Sequence, residues 1–162
     1  MSWKPGKKLL EEIEMRISHY PEKRSASLMI LHAVQEKEGY ISQEAIQWIA
    51  DKLELKPINI YELVTFYPMF REEQAGKYVI KVCRTLSCAL GGSGKLFKDI
   101  CKQIEVDPSK HHGLQTSKDG KFSIEFVECL ASCGTAPVMM VNEDFHEGVT
   151  KEDARKILGK CK

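Results

Sequence analysis

The sequence contains no apolar stretch of the roughly 20 residues that a helix needs to cross a bilayer. Residues 1–6 lead into a charged segment and lack the hydrophobic core of a signal peptide. We therefore expect a cytoplasmic protein with no direct membrane insertion, in which thiols stay reduced. Six cysteines in that compartment favour metal or redox chemistry over structural disulfides.

The sequence also lacks a strong charge of either sign, since its formal net charge is +1. Residues 1–76 carry a net −2 and residues 77–162 a net +3. Two of the helices expected in the first part resemble a helix-turn-helix in spacing, but that part has no basic face to meet a phosphate backbone. We expect no nucleic-acid partner.

A nucleotide-binding motif is absent as well, although Gly91-Gly92-Ser93-Gly94-Lys95 lies between a predicted strand and a predicted helix. A P-loop requires glycine where this chain has Ala89, and a hydroxyl residue where it has Leu96. We therefore expect no nucleotide site in this chain.

The first part of the chain has the apolar periodicity of four helices with short connections. They are expected at residues 7–19, at 24–38, from Ser42 to Leu53, and from Pro57 to Phe66. In the first, Leu10, Ile13 and Ile17 form the apolar stripe. Gly39 suits a helix C-cap and Ser42 an N-cap. The sequence predicts a small helical bundle over residues 1–72.

The second part, residues 77–162, alternates between apolar and polar positions as strands do. Strands are expected at 77–83, 114–116, 122–127 and 137–142, and helices at 92–104 and 151–158. Asp119-Gly120 is a hairpin signal between the second and third strands. The order predicts a mixed sheet with flanking helices and one parallel crossover, and the whole chain is an α+β protein of two domains.

Four of the cysteines form two close pairs about forty residues apart. Cys83 and Cys88 make a C-x4-C pair, and Cys129 and Cys133 a C-x3-C pair, each after a predicted strand. Four thiolates on two loops are a donor set for an iron–sulfur cluster or for a structural zinc ion. Spacing leaves both open, so a zinc-stapled interaction domain without a redox role is one hypothesis.

The residues around the pairs favour the cluster. Glycine-rich backbone at Gly91-Gly92 and Gly134 is expected to approach closely and give N–H donors to the sulfurs. Leu86, Leu90 and Leu130 are expected to keep water away. Outside the pairs, we expect Cys101 to be a core thiol, Cys161 an exposed free thiol, and His111-His112 solvated residues without a metal.

Several segments together carry a family resemblance that extends over about residues 20–160. They are Gly39-Tyr40-Ile41-Ser42, Val64-Thr65-Phe66-Tyr67-Pro68-Met69-Phe70, Val82-Cys83 with Cys88, and Cys129-Leu130 through Cys133, Ala136 and Pro137. With them the chain resembles the family of thioredoxin-like [2Fe–2S] subunits of respiratory NADH:quinone oxidoreductase, or complex I, known as the E subunit in the bacterial enzyme. The resemblance implies a thioredoxin-like second domain with Cys83, Cys88, Cys129 and Cys133 as cluster ligands.

The function that this resemblance implies is electron transfer. One [2Fe–2S] cluster per chain would exchange single electrons with FMN in a partner flavoprotein that oxidises NADH, beside a larger iron–sulfur subunit. The complex would hold the chain at the cytoplasmic side of the inner membrane. The same resemblance allows a diaphorase subunit of an NAD-dependent hydrogenase or formate dehydrogenase. In either case we expect the chain alone not to be catalytic.

One residue departs from the family pattern. The family commonly has glycine between the cysteines of the second pair, where this chain has Ala131. Alanine disfavours a positive φ angle. If the loop needs a left-handed residue there, its geometry or the cluster potential is expected to differ from that of relatives.

Overall fold

The computed structural model describes residues 3–110 and 113–162, so His111 and His112 lie outside the described residues. The chain divides into two compact units, Met1–Gln74 and Ala75–Lys162. The first holds helices and the second a mixed sheet with helices, which confirms the predicted α+β class.

From residue 3 onward, the first unit has four α-helices: α1 (Lys7–Ser18), α2 (Ser27–Glu38), α3 (Gln43–Leu53) and α4 (Pro57–Phe66). A 3-10 turn at Lys23–Ala26 precedes α2, where the sequence predicted continuous helix. Gly39 ends α2 with φ +85°, as a glycine C-cap does. The Ser42 hydroxyl accepts a hydrogen bond from the Ala45 N–H at 3.1 Å and so begins α3 as predicted.

The core of the first unit takes side chains from all four helices. Its fully buried large members are Ile13, Ile30, Leu31, Ile41, Ile46, Ile49 and Ile60. One predicted position of the apolar stripe on α1 is wrong. Leu10 is 37% exposed because Leu9 takes the buried position. Phe66, at the end of α4, is 77% exposed.

The described residues of the second unit form five strands and three α-helices. In chain order they are β1 (Tyr78–Cys83), α5 (Leu86–Leu90), α6 (Ser93–Gln103), β2 (Gln115–Thr116), β3 (Phe122–Val127), β4 (Met139–Val141), β5 (Asp144–His146) and α7 (Lys151–Lys160). The sequence missed α5 and β5, because each is too short to show a period.

The sheet has the strand order β2-β3-β1-β4-β5. The central pair, β1 and β3, is parallel, and the other neighbours are antiparallel, so the predicted single parallel crossover is confirmed. Apolar residues of the sheet pack with α6 and α7 in one core, where Phe97 and Phe126 stack at 3.8 Å between ring centroids. The carboxyl ends of β1 and β3 meet at one edge of this sheet.

Candidate metal centre

Both cysteine pairs begin at that edge. The register pairs Cys83 at the end of β1 with Val127 at the end of β3, and the Arg84 N–H donates to the Val127 carbonyl at 3.0 Å. Beyond the strands, Arg84 also makes an ion pair with Glu128, with Nη2 2.6 Å from Oε1. The first cysteine loop (residues 83–92) and the second cysteine loop (residues 128–137) therefore start side by side.

The four sulfur atoms come as two neighbouring pairs. The Sγ atoms of Cys129 and Cys133 are 3.5 Å apart, and Cys88 is near enough to Cys83 to contribute to lowering the pKa of the Cys83 thiol. The pKa of Cys129 is lowered, mainly by the Ala131 N–H, and the charge of Cys83 opposes this slightly, so the two pairs are close enough to interact. Across residues 3–110 and 113–162, no three His, Cys, Asp or Glu side chains are grouped to hold a single metal ion.

The two pairs differ in their exposure to solvent. Cys83 and Cys88 are buried, where they pack with Val138 and the partly buried Leu130. Cys129 and Cys133 are exposed. One side of the site is thus inside the protein and the other is at its surface.

Hydrogen-bond donors reach the buried pair from both cysteine loops and from the residue before β4. Burial raises the pKa of the Cys83 thiol, but donors that include the Thr85 hydroxyl and the Leu130 N–H outweigh it and hold that pKa below its ordinary value. Thr85 Oγ1 is 3.3 Å from Cys83 Sγ. Burial and the neighbouring Cys83 raise the pKa of Cys88. The Val138 N–H opposes this rise.

The exposed pair has donors of its own. The Ala131 N–H donates to Cys129 Sγ at 3.3 Å and is the main cause that lowers the pKa of Cys129. The neighbouring Cys129 raises the pKa of Cys133, opposed by the Ser87 hydroxyl. Since bound cysteines are thiolates, these N–H and O–H donors are what a four-thiolate set needs to offset its negative charge.

The glycines of the loops have a different role from the predicted one. A Cβ atom at Gly91 would lie 3.1 Å from the Cβ of Ala136, so glycine lets the two cysteine loops pack closely. Gly134 has no such close contact in the part of the chain that the structure describes. The N–H groups that act on the sulfurs belong instead to Leu130, Ala131 and Val138. No local sequence pattern marks these residues as donors.

The leucines beside the first pair are exposed. Leu86 is 75% exposed and Leu90 is 81% exposed, so the prediction that they keep water from the site is wrong. Leu130 does pack against the buried cysteines, as predicted. Leu86 and Leu90 are four residues apart on α5 and share a side of it; together they are the leucine face.

Two cysteines lie outside the two pairs. Cys101 is fully buried in the core of the second unit, as predicted. Its pKa is raised to about 11, mainly by burial and to a smaller extent by the negative charge of Asp107. Cys161 is a free thiol, but the prediction that it is exposed is wrong. It is partly buried against the same core, and its Sγ lies 3.6 Å from the Ile157 carbonyl oxygen.

Ala131 has φ +63°. The loop therefore does need a left-handed residue at this position, where the family commonly has glycine. An L-residue there carries strain of about 1–2 kcal/mol. We expect Ala131→Gly to raise the free energy of unfolding by about 1 kcal/mol and the melting temperature by roughly 2–4 °C. Thermal unfolding of the purified, cofactor-loaded protein measures this.

The matched control is Ala136→Gly in the same loop. Ala136 has φ −61°, so glycine there adds chain entropy without relieving strain and is expected to lower the melting temperature. A decrease of similar size in both variants would contradict the strain at Ala131.

Comparison with known proteins supplies a family. Residues 13–162 match the family model described as thioredoxin-like [2Fe–2S] ferredoxin. The E subunit of the NADH-quinone oxidoreductase of Aquifex aeolicus is 36% identical over 152 residues, which cover 94% of this chain and 92% of that protein. The E subunit of the Rickettsia felis NADH-quinone oxidoreductase is 37% identical over 155 residues, covering 94% and 90%.

A solved structure shares the fold. A chain of an NAD+-reducing [NiFe]-hydrogenase in the air-oxidized state superposes with a TM-score of 0.65 at 17% sequence identity. The superposition covers 81% of this chain, which spans only 22% of the length of the hydrogenase chain. At this identity the likeness concerns the fold alone.

Proposed function

Because the chain belongs to the thioredoxin-like [2Fe–2S] ferredoxin family, we propose that it is the electron-transfer subunit of an NADH:quinone oxidoreductase. The proposed cluster ligands are Cys83, Cys88, Cys129 and Cys133. The observation that carries the proposal is the pairing of these thiols at the adjacent ends of β1 and β3. The two units are proposed to be separate domains, with all four ligands in the second.

The donor set fits a [2Fe–2S] cluster. Such a cluster has two irons and takes two cysteine thiolates at each, and here the thiols come as one pair on each loop. A bound cluster supplies the chemistry of taking up and releasing single electrons. This chain's residues supply the rest: Thr85 and Ala131 are hydrogen-bonded to the sulfurs of Cys83 and Cys129. The N–H groups of Leu130 and Val138 act to lower the pKa of Cys83 and of Cys88.

Partners are part of the proposal. We place FMN and NADH in a flavoprotein subunit that docks next to the exposed pair, and a larger iron–sulfur subunit in the same complex. The leucine face supports docking there, because it exposes two large apolar side chains on α5, whose Ser87 hydroxyl also acts on Cys133 of the exposed pair. Electron transfer slows steeply with distance, so the redox partner needs to lie on this side.

The location in the cell follows from the complex. No helix within the described ranges is long and apolar enough to cross a membrane. We propose that the chain is peripheral, held on the cytoplasmic side of the inner membrane by its partners.

Anaerobic purification followed by iron, sulfide and zinc analysis tests the proposal. We expect about two irons and two sulfides per chain, the composition of the cluster, and a brown protein. A colourless protein with one zinc ion and no sulfide would sink the electron-transfer function and favour the zinc-stapled domain. The purified chain is not expected to oxidise NADH with an artificial acceptor, and turnover would contradict a nucleotide site in the partner.

A further inference from the structure

The carboxylate of Glu147 lies outside both cysteine loops and is hydrogen-bonded to the second cysteine loop. Glu147 directly follows β5, and its Oε1 accepts a hydrogen bond from Thr135 Oγ1 at 2.6 Å and another from Ser132 Oγ. The two hydroxyl oxygens are 2.8 Å from each other. Ser132 and Thr135 flank Cys133 in the sequence. One carboxylate oxygen is therefore hydrogen-bonded to residues on both sides of a proposed ligand.

Backbone hydrogen bonds fasten the same segments. The Gly148 N–H donates to the Thr135 carbonyl at 2.7 Å, and the Val149 N–H donates to the Pro137 carbonyl at 3.0 Å. The Thr135 hydroxyl also donates to the Ser132 carbonyl at 3.2 Å. Residues 132–137 are thus connected to residues 147–149 by both backbone and side chains.

The carboxylate is the strongest acceptor in this network. Hydrogen bonds to an ionised acceptor are roughly twice as strong as those between neutral groups. The bonds from Ser132 and then Thr135 lower the pKa of Glu147, so it stays charged at neutral pH. Cys129 and Cys133 lack the burial that fixes Cys83 and Cys88, and their loop includes the strained Ala131.

We propose that Glu147 is a positioning residue that acts through Ser132 and Thr135 to hold Cys133 in ligand geometry. This rests on the proposed function, because it takes Cys133 as a cluster ligand. Loss of the carboxylate lets the second cysteine loop open, which changes the surroundings of the bound cluster and makes the cluster easier to remove.

The test uses the anaerobically purified holoprotein and compares E147A, which removes the acceptor, with E147Q, which keeps an oxygen in place. We expect E147A to speed cluster loss to a chelator about three- to tenfold, and to shift or broaden the paramagnetic signal of the reduced protein. E147Q is expected to lie between E147A and the wild type in lifetime and signal, because its amide oxygen still accepts hydrogen bonds but carries no charge. E147Q that behaves like E147A would overturn the proposal.

The matched control is E143A. Glu143 is an exposed carboxylate in the turn between β4 and β5, and it shares no hydrogen bond with the described residues of either cysteine loop. We expect E143A to match the wild type. E147A indistinguishable from E143A in lifetime and signal would refute the positioning role.

A third readout separates this proposal from the proposed function. Amide hydrogen exchange over residues 129–135 reports loop opening whatever the site holds. Faster exchange in E147A than in E143A supports the positioning role of Glu147 even if the protein proves to bind zinc. Equal exchange in the two variants refutes that role. If E147A does not fold, Thr135→Val replaces it and Thr135→Ser replaces E147Q, with the same expectations.

Discussion

Replacing Cys88 with alanine is expected to abolish the paramagnetic signal that the reduced protein gives. Cys88 is buried in the small apolar group with Cys83 and Val138, where no other thiol takes its place. A cluster with only three thiolates leaves one iron open, so the cluster is lost or altered. Electron paramagnetic resonance of the dithionite-reduced protein, together with iron and sulfide content, measures the result.

Cys101→Ala is the matched control for this experiment. Cys101 is as buried as Cys88 and lies in the same unit, so both variants remove one sulfur from an interior position. With a pKa of about 11 its thiol stays protonated at neutral pH, and we expect the signal to remain. Signal loss in a folded Cys101→Ala protein, or a wild-type signal in Cys88→Ala, would show that the ligand assignment is wrong.

The second large effect concerns docking. Changing Leu86 and Leu90 together to aspartate is expected to weaken binding to the proposed flavoprotein partner by about 100-fold or more. Burial of one leucine side chain contributes about 1.5–3 kcal/mol, and each 1.4 kcal/mol is a tenfold change in affinity. Titration calorimetry or co-elution with the purified flavin-bearing subunit measures the change. The unbound variant should keep its cluster, since both side chains are already in solvent.

Met15 and Met29 provide the control for this pair. Both are exposed apolar residues of the helical unit, and Met15→Asp with Met29→Asp adds the same charge. We expect that variant to bind the partner as the wild type does. Equal affinity of the leucine variant and the wild type would place the interface elsewhere on the chain.

Features set by near neighbours in the sequence were predictable. The caps at Gly39 and Ser42 and the hairpin at Asp119-Gly120 each depend on residues within one turn of the chain. All three are present as predicted. The thioredoxin-like [2Fe–2S] family is also confirmed, because the motifs that carried it are contiguous segments.

Exposure was harder to predict where periodicity gives little information. Leu10 and Leu9 are adjacent on α1, so a small rotation of the helix decides which one is buried. Leu86 and Leu90 lie on a five-residue helix without a full amphipathic period. Whether such a side chain is covered depends on which element packs over it, and α5 contacts both the adjacent α6 and residues 133–135, more than forty positions away in the chain.

By itself, the sequence determined the two cysteine pairs, the helical and mixed α/β parts of the chain, and the family to which it belongs. Only the tertiary structure decided which groups surround the sulfurs: the N–H groups of Leu130 and Val138, the left-handed Ala131 and the carboxylate of Glu147. For Leu130 the reason is the parallel pairing of β1 with β3, and for Val138 it is the pairing of β1 with β4. These pairings join residues more than forty positions apart, and the contacts made across them leave no local pattern in the sequence. Glu147 reaches the second cysteine loop because it directly follows β5, which pairs with β4.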